Sequence, residues 1–133
     1  MEKNVVKNIL ADTDLRQNLI KLKGSMTSTD TLEGPIVEKL CDCLTHEDPK
    51  VRKNAALLLG YTKNPLMASV LLDAYKNEKK DFVKDAYLKG MSRYDCKRYI
   101  KELQEIQNEL MNSEVVDSKH IKAQLKVLNP MIR

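Results

Sequence analysis

The residues best suited to chemistry fall in two places. Cys41, Cys43, His46 and Glu47 bring two thiols, an imidazole and a carboxylate into one short segment, and these are the donor types of a zinc site. Residues 76–101 hold nine basic side chains against four acidic ones, a net +5, and such a run can meet phosphates without reading sequence. No phosphate-cradling glycine loop, nucleophile elbow or zinc-hydrolase motif occurs in the chain.

What either group can do depends on the elements that hold it. The chain has 133 residues, 42% of them hydrophobic and 32% charged, with four Gly, one Phe and no Trp. That apolar fraction is too large for a disordered chain, and the aromatic and glycine content is too poor for an all-β domain. No apolar run approaches the ~20 residues of a membrane span, and the N-terminus lacks the ~7–15-residue apolar core of a secretory signal. A helical protein of the cytoplasm, with three reduced cysteines and no membrane partner, is the expectation.

The chain also repeats itself. Residues 15–24 read LRQNLIKLKG and residues 51–60 read VRKNAALLLG, so Arg16, Asn18, Leu22 and Gly24 match Arg52, Asn54, Leu58 and Gly60 at an offset of 36. A third, looser copy, VKDAYLKGM over residues 83–91, fits at an offset of 32, with Lys84 in the arginine position. Other helical segments lie between the copies, which makes the unit a helix pair.

Start and stop signals place eight helices. A short one holds Val5, Val6, Ile9 and Leu10, and the next runs from Leu15 to Lys23. Pro35 opens a third, to about Thr45. Asp48 caps a fourth, with Pro49 at its first position and Gly60 at its end. Asn64-Pro65 starts a fifth, through Tyr75, and Asp81 caps a sixth, from Phe82 to about Arg93. Asp95 caps a seventh to about Asn112, and the last runs from Ser118 to Leu128 and stops before Pro130. The helices around Ala55-Ala56 and Leu71-Leu72 are apolar nearly all round, as expected of an internal repeat flanked on two sides.

The segment EDPKVRKNAALLLG, residues 47–60, closely resembles the second helix of a HEAT repeat, with its Asp-Pro turn, Val-Arg pair, paired alanines and Leu-Gly ending. The resemblance implies an all-α, short right-handed solenoid of about three helix pairs over residues 1–112, with C-terminal helices over residues 113–133 as an extension or linker. It further implies that Arg52 bonds an acidic residue in an inter-helix turn, one rung of a ladder between repeats. His46 stands where an aspartate is common six residues before that arginine, and Lys84 replaces the arginine in the third copy.

On these helices the first group loses its chemistry. Residues 41 and 43 point roughly 200° apart, whereas chelation along a helix uses i and i+3 or i+4. Cys41, beside Val37 and Leu44, reads as a small core residue. No metal, no cofactor and no catalytic residue is therefore expected, and the chain reads as a non-enzymatic protein-binding or scaffolding module. Its partner would be another protein or a domain of the same native chain.

The basic run keeps a rival reading alive, that of a nucleic-acid-binding accessory to a larger RNA- or DNA-modifying enzyme. Lys80, Lys84, Lys89, Arg93, Lys97 and Arg98 are the candidate polyanion face. The plain alternative is that Asp85 with Lys89, and Arg98 with Glu102, form ordinary i, i+4 surface pairs. Finally, Met131 and Ile132 follow Asn129-Pro130 at the chain end. They either fold back on the solenoid or belong to something beyond Arg133, and the short joint at residues 112–114 favours the second.

Overall fold

Helix capping decides much of the local structure. In the computed structural model, which describes residues 3–115 and 117–133, the elements in order are α1 (Lys3–Leu10), α2 (Leu15–Ser25), α3 (Pro35–Cys43), α4 (Pro49–Leu58), α5 (Leu66–Asn77), α6 (Asp81–Met91), α7 (Ile100–Met111) and α8 (Lys119–Ile132). Short 3-10 turns follow α4 at Leu59–Tyr61 and precede α7 at Lys97–Tyr99. No strand is present among the described residues.

Several starts follow the expected chemistry. Asp48 Oδ1 accepts from the Lys50 N–H at 2.9 Å, Asn64 Oδ1 from the Leu66 N–H at 3.0 Å, and Ser118 Oγ from the Ile121 N–H at 3.2 Å. Asp81 does not cap α6. It is the first helical residue, and Glu78 collects the nearby amides instead. Asp14 sits in a left-handed conformation with φ of 43° and makes no side-chain cap.

The matched asparagines have one physical role. Asn18 and Asn54 are both buried, and each donates its Nδ2 to the carbonyl four residues back, Asp14 at 3.1 Å and Lys50 at 2.9 Å. In the looser third copy Ala86, also buried, fills that place and needs no partner.

Consecutive helices pack as pairs, α1 with α2, α3 with α4, α5 with α6 and α7 with α8. The second helices then neighbour one another in the order α2, α4, α6, α8, forming one layer of an all-α solenoid. The three expected pairs are thus followed by α7 and α8, which stack as a further pair through α8 on α6. Buried Ile121, Gln124 and Leu128 face inward from α8, and the Tyr75 hydroxyl donates to Gln124 Oε1 at 2.6 Å.

Two details differ from expectation. Helix α8 does not stop before Pro130 but runs through it to Ile132. Proline in the last turn forfeits a single N–H bond, and continuing the helix lets Val127, Met131 and Ile132 pack on the core. The buried cysteine of α3 is Cys43, in the stripe Ile36, Leu40, Cys43, whereas Cys41 is half-buried and turned toward Met67 of α5.

The tightest contact of the stack lies between α4 and α6. Ala55 and Ala56 are fully buried, and a Cβ added at Gly90 would lie 2.6 Å from the Ala56 carbonyl oxygen and 2.9 Å from Leu71 Cδ1. A Cβ at Gly60 would lie 3.2 Å from the Gly90 Cα. The glycine that ends α4 therefore serves close approach, and its backbone is not left-handed. Ala56→Leu and Gly90→Ala should each overpack this contact and cost about 1–3 kcal/mol. Gly24, with nothing within 4 Å of an added Cβ, is the control. Gly24→Ala should leave thermal unfolding unchanged or raise stability by up to about 1 kcal/mol.

Candidate docking cleft

The polar bonds between pairs decide which charges are left over. Arg16 of α2 forms a forked pair with Asp48 of the α3–α4 turn, at 2.9 and 3.0 Å. Arg52 of α4 does the same to Glu78 of the α5–α6 turn, at 2.8 and 2.9 Å, and its Nη1 also donates to the His46 carbonyl at 2.9 Å. The expected rung at Arg52 is present. The imidazole at position 46 does no harm to it, because the arginine uses that residue's carbonyl while His46 Nδ1 accepts the Asp48 N–H at 3.0 Å. Lys84, at the third arginine position, has no such fork; its ammonium lies 5.5 Å from the centre of the Tyr75 ring.

Glu78 is the most heavily bonded carboxylate of the described chain. Besides Arg52 it accepts from the Tyr87 hydroxyl at 2.9 Å and from the Lys79 and Lys80 amides, both at 3.1 Å, with its side chain only 3% exposed. Burial alone would raise its pKa. The bonds from Arg52, the Lys80 amide and Tyr87 outweigh that and bring it down to about 2. The bond from Arg16 likewise holds Asp48 at about 2. Burial, and then the Glu78 carboxylate, push the Tyr87 phenol upward.

The cysteines carry no activated thiol. Burial pushes Cys43 up to about 11 and raises Cys41 and Cys96 as well, the opposite of a reactive cysteine. Among the described residues no three metal-ligating side chains converge, and no helix is long and apolar enough to cross a membrane.

The six candidate basic residues lie in different surroundings. Lys80 borders an open cavity of about 610 Å³ beside the Arg52–Glu78 rung, together with His46, Asp73 and Asn77. Lys84 is half-buried beside Tyr75. Arg93 donates from Nε to the Gly60 carbonyl at 3.0 Å and stacks 4.1 Å from the centre of the Tyr61 ring, so it fastens the turn after α4. Lys89 pairs with Asp85 at 3.1 Å, as the i, i+4 spacing suggested. The second suggested pair, Arg98 with Glu102, does not form: Arg98 is exposed, and Glu102 Oε2 is buried without a partner. The helical turn there begins as 3-10, which takes Arg98 out of α7 and off its i, i+4 register.

Lys89 and Lys97 do share a site. They border an open cleft of about 820 Å³ between the end of α6, the 3-10 turn and α8, joined by Lys126 and Arg133. Its apolar lining comes from Ile100, Ala123, Val127 and Met131. The contribution of α8 could not be seen in the basic run, which ends before it.

The family profile for HEAT repeats matches residues 4–109. The chain belongs to the HEAT-repeat family. No curated protein and no solved structure matches it. In this HEAT-repeat chain the matched segment ends within α7, so the α8 wall of the cleft lies outside the profile.

Two outcomes test the rungs of this HEAT-repeat stack. Arg52→Ala strands the buried Glu78 carboxylate and should cost about 3–5 kcal/mol, with Arg52→Lys intermediate because an ammonium cannot reproduce the fork. Chemical denaturation measures both. The second outcome concerns acid. Glu78 and Asp48 have folded pKa values of about 2, below their ordinary 4.5 and 3.8. Their contribution is therefore complete above those ordinary values and is lost as pH falls toward about 2. Stability measured against pH should drop through that window, and Glu78→Gln should flatten the drop.

Proposed function

We propose that this chain is a non-catalytic protein-docking module, whose partner is another protein or a domain of the same native chain. The observation that carries the reading is the cleft between α6 and α8, where an apolar floor and a cationic rim lie open together. That combination suits a protein surface, whose contacts mix apolar anchors with charged edges. The buried ionisable groups support the non-catalytic part of the reading, because Glu78, Arg52 and Tyr87 are spent on one another. The three free thiols, Cys41, Cys43 and Cys96, fit a reducing, cytoplasmic setting.

The rival, a nucleic-acid accessory, is weaker on two counts. Arg93 and Lys89 are engaged within the fold. Two of the four aromatic residues of the basic run are also tied into the fold. Tyr87 is buried on Glu78, and the Tyr94 hydroxyl donates to the Leu59 carbonyl. Chromatography on heparin and gel shift with RNA separate the two readings. The docking module should pass through heparin at about 150 mM salt and leave RNA unshifted. Retention that fades steeply with added salt would replace it with the nucleic-acid reading.

A further inference from the structure

We infer that the α6–α8 cleft receives an acidic, amphipathic helical segment of a partner protein, an inference that rests on the docking reading above. Part of the charge that lines the cleft is already paired. Asp85 gives one oxygen to Lys89 at 3.1 Å, and Asp95 turns Oδ1 to the Lys97 N–H at 3.1 Å while keeping its charge. Lys89, Lys97, Lys126 and Arg133 outnumber the acidic side chains of the cleft four to two. Lys97 and Lys126 are exposed, and neither ammonium pairs with a described carboxylate. An occupant with carboxylates on its outer edges meets two unspent cations there.

The floor sets the rest of the occupant's chemistry. Ala123, Val127 and Met131 recur at i, i+4 and i+8 along α8, forming one apolar ridge that lines the cleft and is only half-buried. Ile100, at the start of α7, adds to it. From Ala123 to Met131 the ridge is about 12 Å long, the rise of roughly two helical turns. A ridge at i, i+4 spacing receives the groove of another helix, and a partner helix laid along it presents its own apolar residues at i, i+3, i+4 and i+7. A nucleic acid would satisfy the lysines and leave this ridge uncovered.

The probe is a fluorescein-labelled synthetic peptide of about 14 residues, long enough for nearly four helical turns, with Leu along one face and Glu along the other. Anisotropy titration against the full chain should give saturable binding. The same peptide with Lys in place of each Glu should not bind. Lys97→Glu combined with Lys126→Glu should weaken the acidic peptide about tenfold or more. Both side chains are exposed, so the thermal unfolding of that variant should match the parent's, which separates lost binding from lost folding. Polyglutamate of equal charge should bind far more weakly than the amphipathic peptide.

Four results overturn the inference. Equal binding of polyglutamate would mean charge alone is recognised. Indifference of the peptide to the double charge reversal would place it elsewhere on the molecule. No peptide binding, in a chain that also ignores heparin, would remove this cleft as the site while leaving protein docking to other faces. Strong heparin retention together with no peptide binding would remove both readings.

Discussion

A single carboxylate ties together three successive parts of this chain. Glu78 sits in the turn between α5 and α6, yet it accepts from Arg52 on the preceding pair, from two amides of its own turn and from Tyr87 on the helix that follows. Each donor relieves the cost of burying the charge. The result fixes the start of α6 relative to α4 at one end of both helices. Without that register, the glycine and alanine contact further along α4 would not meet its counterpart on α6.

The opposite ends of the same helices are fastened by different means. There the carbonyls of the 3-10 turn after α4 that find no partner within the helix are taken up by neighbours on both sides. The Leu32 amide donates to the Tyr61 carbonyl at 2.8 Å, Arg93 to the Gly60 carbonyl, and Tyr94 to the Leu59 carbonyl. Carbonyls at a helix end left without donors are costly when buried, and here the donors come from neighbouring segments. Ionic forks at one end and carbonyl capping at the other hold the layer, with close backbone packing between them.

The parts legible in the sequence are those decided locally. Asp48, Pro49 and Ser118 announce helix starts because a cap bonds an amide two or three residues away. The matching of Asn18 with Asn54 signals a shared bond to the carbonyl four residues back. The acid that receives Arg52 was not legible by number, since Glu78 lies 26 residues on in a turn without a distinguishing motif. The choice between Cys41 and Cys43 turned on about 200° of helix rotation, and the stripe of Ile36 and Leu40 continues to Cys43. The cleft was half legible. Its lysines on α6 and the 3-10 turn stood out as a charge run, but the wall from α8 depends on how the last helix docks.

The unequal depth of the rungs gives the stack an uneven response to salt. Arg16 is 50% exposed where it grips Asp48, whereas Arg52 is 16% exposed against Glu78. Water and salt compete for the first fork far more effectively than for the second. The α4–α6 junction keeps its fork largely out of reach of solvent and adds backbone nearly touching backbone at Gly90. The α2–α4 fork is the rung that ionic strength can reach, so added salt weakens that joint of the layer while leaving the central one as it is.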